Sequence, residues 1–338
     1  GSGGGIAKVG AWQIPLTPPD PQPYIQEVAV AANGSAYAAA GADGKAYYFD
    51  IAATTPGALT PRWGFDPPGQ SACKWVAITD DGALVAIQVH QVPGTVGALA
   101  PIHDDEGWLL AADQGFSYLH PDGTVRAIAH VAPDWTRMND AACDPQGRFW
   151  AGTLAYDQRP GGGALYRLDR RGHTELMLDG LTISNGLGWS LDNRTMYLVD
   201  TGPGVIHAFT FDPDEGTMAN GHVLVEVPNE IGSPDGLTVD AAGDLWVAIY
   251  GGGRVQRYSP SGELRDELFA PAEQTTCCAF AGPGLHRLYV TTATEHWTDE
   301  QRRAEPAAGL VYAFETEATG VPAAHFRPDP TWWATVVA

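Results

Sequence analysis

Arg137-Met-Asn-Asp-Ala-Ala-Cys-Asp-Pro-Gln-Gly-Arg-Phe-Trp-Ala-Gly152 sets a pattern that the chain uses three times. Asn185-Gly-Leu-Gly-Trp-Ser-Leu-Asp-Asn-Arg-Thr-Met-Tyr-Leu-Val-Asp200 repeats it, as does Asp235-Gly-Leu-Thr-Val-Asp-Ala-Ala-Gly-Asp-Leu-Trp-Val-Ala248. Each copy runs from an oxygen-bearing side chain through a short apolar run and a polar turn with Gly or Asn into a second apolar strand. The copies start 46 and then 50 positions apart, at Asn139, Asn185 and Asp235. Short strands and tight turns at that period are what the blades of a β-propeller produce. The innermost strand of every blade begins at one face of the central channel, so these three residues are expected to meet on the axis.

Working outward, candidate inner strands start near residues 27, 98, 139, 185, 235 and 278, which predicts an all-β, six-bladed propeller. Ala164 to Leu168, Val205 to Phe211 and Arg254 to Tyr258 read as outer strands, and Gly309 to Phe314 as the closing strand. Thr298 to Ala304 is the one obvious helical candidate. The first hundred residues fit less well. The turn glycines Gly82 and Gly107 are 25 positions apart, half a blade, so one hairpin there is an insertion or part of an unusual first blade. The expected organisation is a tag-like scar at 1–5, excluded from the fold, and one propeller domain over 6–338 with an atypical first blade within 6–95.

Composition agrees. In 338 residues, 41 glycines and 26 prolines favour turns and strands over long helices. No run of 18 apolar residues is present, so no membrane partner is expected. With 40 acidic and 19 basic residues the net charge is −21, which repels nucleic acid and attracts cations. Cys73, Cys143, Cys277 and Cys278 lack metal-site spacing and read as packed, reduced thiols. With no signal peptide visible, a cytoplasmic location is the expectation. No Gly-x-Ser-x-Gly elbow or phosphate loop occurs.

The motifs Arg137-Met-Asn-Asp, Asp144 to Thr153, Ser184 to Asp192, Pro234 to Asp240 and Gly251-Gly-Gly-Arg-Val255 resemble the senescence marker protein, gluconolactonase and luciferin-regenerating enzyme family. Thr275-Thr-Cys-Cys-Ala-Phe280 and the 299–302 segment extend the match, which covers roughly residues 96 to 325. The resemblance implies a six-bladed propeller with one divalent cation in the channel, held by a first-blade glutamate, two asparagines and an aspartate. It assigns metal binding to Asn139, Asn185 and Asp235, and makes Asp235 the base or nucleophile. Arg137 falls on a substrate-contacting arginine, and Asp157, more loosely, on an acidic residue of the substrate pocket; Asn139 also faces the substrate. For the glutamate, Glu27 precedes a strand and turn that copy the later repeats, although an ungapped match puts Gln26 there.

The chemistry of these side chains supports the same site independently. Neutral amide oxygens with one or two carboxylates form a hard, oxygen-only donor set, which suits calcium, magnesium or manganese better than softer metals; zinc is a further candidate from the resemblance. Low ligand charge leaves such an ion strongly polarising toward a carbonyl oxygen. Taken singly, Asn185-Gly and Asp235-Gly are also common turn dipeptides. The expected function is a metal-dependent hydrolase that opens a lactone, with a sugar lactone as the small-molecule substrate. A phosphotriesterase-like hydrolase and a non-catalytic ligand-binding propeller are the alternatives.

Overall fold

The structure, a computed structural model, describes Val92, residues 94–104 and 107–338, and the backbone of seven strands between Ala7 and Gln91. It is an all-β propeller. Five sheets are four-stranded and antiparallel; four are meanders from the channel outward, and the fifth takes its outermost strand from Ala7–Gln13. The remaining sheet has six strands, in the spatial order Ile25–Val30, Ala36–Ala40, Lys45–Phe49, Leu84–Gln91, Ala72–Ile78 and Thr60–Pro61. The expectation of six like blades is therefore corrected: five regular blades stand where six were expected. The hairpin that the spacing left over pairs its Leu84–Gln91 strand with Lys45–Phe49 and extends that sheet outward. The proposed scar at 1–5 lies outside the described residues.

The innermost strands are Ile25–Val30, Val96–Pro101, Thr136–Cys143, Ser184–Trp189, Ser233–Val239 and Thr275–Ala281. They pack side by side in that order, and the last returns to the first. The middle strands of a blade are covered on both faces by neighbouring blades, so they are apolar throughout rather than alternating. Phe149–Ala155, for example, is buried at every position. Outermost strands have one edge in water, and Thr174–Leu181 is mostly exposed, Leu176 included. That is why sequence patterning stopped one strand short in each blade: Ala164 to Leu168 and its counterparts are third strands, and fourth strands lie outside them.

One device recurs at the turn after the inner strand. Asp144 is fully buried, and its Oδ1 accepts the backbone N–H groups of Gln146 (3.0 Å) and Arg148 (2.9 Å). Its Oδ2 accepts from Arg148 Nη1 (2.9 Å) and Trp150 Nε1 (3.1 Å). Asp240 does the same for Ala242, Asp244 and Trp246, each at 2.9 Å. The carboxylate satisfies the turn's donors while the tryptophan passes into the seam between blades. Trp150 packs there with Leu187, Met196 and Phe211, and Trp246 with Phe280 and Leu288.

The expected last strand, Leu310–Glu315, is third in its sheet; Ala7–Gln13 pairs outside it. The helix at Asp299–Ala304 forms as expected, closed by a capping box between Thr298 and Gln301. A second helix, Pro330–Val337, was not foreseen. It is capped by Asp329 and sets Trp333 edge-on against Tyr118, 4.9 Å between ring centroids. Among the described residues no helix is long and apolar enough to cross a membrane. Cys143, Cys277 and Cys278 are buried thiols outside any disulfide; Cys73 lies where side chains are not described.

Candidate functional site

Each inner strand slips register against its second strand close to its start. The slips fall between Met138 and Ala141, Ser184 and Leu187, and Pro234 and Leu237. The residues set free are Asn139 with Asp140, Asn185 with Gly186, and Asp235 with Gly236. A bulge of this kind bends the strand and re-aims a side chain, and here it lifts three oxygen-bearing groups out of the ladder at one level of the ring. Asn185-Gly186 and Asp235-Gly236 are thus bulges within strands, not turns. Their glycines permit close approach: a Cβ on Gly236 would lie 2.5 Å from Cys277 Sγ and 2.7 Å from its Cα, and one on Gly186 would lie 2.5 Å from the Leu237 nitrogen. Gly236→Ala should therefore force the inner strands apart and cost about 1–3 kcal/mol of stability, read as a lower urea midpoint.

A chain of hydrogen bonds ties the three positions together. Arg137 Nη1 donates to Asn139 Oδ1 at 2.9 Å and to the Met138 carbonyl at 3.1 Å. Asn139 Nδ2 donates to Asn185 Oδ1 at 2.7 Å and to the Ser184 carbonyl at 3.0 Å. Asn185 Nδ2 donates to Thr201 Oγ1 at 2.7 Å, and that hydroxyl donates to the Pro234 carbonyl at 2.8 Å, next to Asp235. Both asparagines are buried, and Arg137 and Asp235 are half-buried.

Although part of its surface faces the channel, Asp235 sits deep in the protein. Burial pushes its carboxyl well above the usual carboxylate range. The carboxylates of Asp140 and Glu295 push it the same way, and the Arg137 guanidinium opposes them. The ring thus concentrates negative charge here against the Arg137 guanidinium, which is already shared with an amide.

Other expected residues are placed differently. Asp157 is exposed and turns to Arg159, accepting from its backbone N–H at 3.3 Å and its Nη1 at 3.0 Å. It takes no part in the bonded chain, although its neighbour Tyr156 donates its N–H to the Trp135 carbonyl at the head of the Arg137 strand. Glu27 lies in Ile25–Val30, where the register slips between Ile25 and Glu27, but its side chain lies outside the described residues. Among the described residues no three His, Cys, Asp or Glu side chains gather to hold an ion, so the candidate set depends on the amide oxygens.

Sequence reasoning missed Glu295, Tyr250 and Asp140. Asp140 follows a singled-out asparagine, and its partnership with Asp235 becomes visible only through the bulge. Glu295 comes from a loop, where no period operates. Past the three bulges, toward the far ends of the inner strands, lies a cavity of about 930 Å³. Leu99, Leu187, Leu237 and Phe280 line it, and the segment 321–325 with Arg327 edges it.

Comparison with known proteins bears on this arrangement. Residues 35–294 match the SMP-30/Gluconolactonase/LRE-like region. Regucalcin of Xenopus laevis is 34% identical over 256 residues, 73% of this chain and 84% of that protein. Pentonolactonase XacC of Haloferax volcanii is 34% identical over 272 residues, 78% of this chain and 92% of its own. The crystal structure of a calcium-binding protein, regucalcin, from Agrobacterium tumefaciens is similar at a TM-score of 0.75 and 25% identity, covering 91% of this chain and 95% of that one.

Proposed function

The chain belongs to the SMP-30/gluconolactonase/LRE-like family, and from that premise we propose that it is a metal-dependent hydrolase that opens the ring of a sugar lactone. The observation that carries this reading is the set of three equivalent bulges that bring Asn139, Asn185 and Asp235 to one level of the channel. Their amide and carboxylate oxygens form the donor set of a hard divalent cation, with Glu27 as the fourth ligand and calcium as the ion. The charge balance fits: a cation here would offset the crowding of Asp235, Asp140 and Glu295 that drives the Asp235 carboxyl upward. Asn139 Oδ1 and Asn185 Oδ1, which accept from Arg137 and Asn139, are the amide oxygens that would hold the ion, and its binding would release both donors. When bound, the ion supplies polarisation of the lactone carbonyl.

The chain's own groups do the remainder. Arg137, freed from Asn139, offers its forked donors to the ester and ring oxygens of the substrate and fixes its orientation. Asp235 takes a proton from water as the water oxygen attacks the carbonyl carbon, the ring C–O bond breaks, and the departing oxygen is protonated to a hydroxyl. A carboxylate whose proton affinity is raised is a better base than an ordinary one, and Asp235 acts in its ionised form. Asp157, once released from Arg159, is a further substrate contact.

Titrating acid release from an aldonolactone with and without chelator tests this. Turnover should drop to the uncatalysed rate on chelation and return with added calcium. Turnover indifferent to chelator, in protein shown to be stripped of metal, would remove the ion from the reading.

A further inference from the structure

Glu295 follows the Arg287–Thr292 strand, in the loop that leads to the capped helix. Its backbone is clamped from both sides by one side chain: its N–H donates to Gln274 Oε1 at 2.7 Å, and Gln274 Nε2 donates to its carbonyl at 3.0 Å. Gln274 itself immediately precedes the inner strand Thr275–Ala281, so the loop is fixed to the head of the ring. Tyr250 Oη donates to Glu295 Oε2 at 3.3 Å. Tyr250 pairs with Ser233 across the ladder, one step above the Pro234–Ile249 pair that adjoins Asp235. The Glu295 side chain is 24% exposed, enough for contact with a ligand and too little for free rotation in water. Its charge reaches Asp235, the residue at the centre of the site.

A carboxylate clamped at the backbone, braced by a phenol and near enough to Asp235 for its charge to act there accepts hydrogen bonds and donates none. Among the described residues its one basic ion-pair neighbour, His296, lies 3.5 Å from Oε1 and is itself 81% exposed, so solvent screens that pair. An ester carbonyl, which has no proton to give, gains nothing from such a group. A ring hydroxyl does. We infer that Glu295, braced by Tyr250 and Gln274, is a specificity residue that accepts ring hydroxyls of the lactone and so selects polyhydroxylated lactones over unsubstituted ones. This rests on the lactonase reading and deepens it. A polyhydroxylated ring satisfies the partly desolvated carboxylate, whereas an unsubstituted ring of the same size leaves it without partners, which is the asymmetry that produces strong discrimination.

The test compares Glu295→Gln with the unaltered protein on an aldonolactone and on an unsubstituted lactone of equal ring size. Charge-assisted hydrogen bonds of this kind predict that the ratio of kcat/KM between the two substrates falls by about 10- to 100-fold, through KM for the aldonolactone. Glu295→Asp should recover part of the ratio. An unchanged ratio, or a loss in kcat shared equally by both substrates, overturns the inference. If Glu295→Gln does not fold, Tyr250→Phe removes the brace alone and should move the same ratio in the same direction. Should the unaltered protein open no lactone at all, the lactonase reading fails by itself. Calorimetric binding of the aldonate, the ring-opened acid, then decides the inference: weaker binding by Glu295→Gln upholds it and equal binding overturns it.

Discussion

Asp235→Asn is expected to lower the rate of lactone opening by about 10²- to 10⁴-fold while leaving the fold intact, because it removes a proton acceptor and keeps the side chain's shape. The same substitution should make the metal-free protein more stable at neutral and alkaline pH. Burial raises the folded-state carboxyl of Asp235 above its ordinary value of 3.8, so the folded chain holds that proton more tightly than the unfolded chain does. The resulting stabilisation is fully present below the unfolded value and is lost as pH rises through the raised folded value. Chelated wild-type protein should therefore lose melting temperature relative to Asp235→Asn as pH rises from about 4 toward 8, and added calcium should narrow the gap. A variant less stable than wild type at pH 8 without metal would show that the carboxylate is not strained in the fold.

Asp144→Ala should have the largest effect on stability, with a loss of about 3–5 kcal/mol in reversible urea unfolding, as when a buried ion pair loses one member. Four donors lose their acceptor together: two backbone N–H groups, the Arg148 guanidinium and the Trp150 indole. Arg148 is only 11% exposed and keeps just the Pro213 and Asp214 carbonyls. At the equivalent turn in the fourth blade, Ser190 replaces the aspartate, its hydroxyl accepting from the backbone N–H groups of Arg194 (3.2 Å) and Thr195 (3.0 Å). Ser190→Ala, which frees no buried charge, should cost much less.

The periodic part of the molecule was legible because a blade writes itself into the chain as a repeat. The starts at Asn139, Asn185 and Asp235 mark equivalent places in equivalent units, and equal phase in sequence became equal height in the ring. The bulge was not legible, since a one-residue slip leaves composition and alternation almost unchanged, and Asn-Gly and Asp-Gly suit turns as well as close approach. Fourth strands escaped because water on one edge erases their pattern. Glu295 and Tyr250 escaped for a different reason: they belong to the site through contacts between blades, and no spacing within a blade encodes them. The first blade departed from the count because its sheet took on the hairpin of Ala72–Ile78 and Leu84–Gln91.

The pairing of Ala7–Gln13 with Leu310–Glu315, which sets Ala7 opposite Glu315, has a consequence for biosynthesis. A strand made about 300 residues ahead of its partner waits for that partner to be translated. During that interval its backbone donors and acceptors stay open, as does the edge it will eventually cover, and both invite pairing with other chains. Elongation rate and chaperone supply should thus govern the yield of active protein more than the equilibrium stability of any single blade.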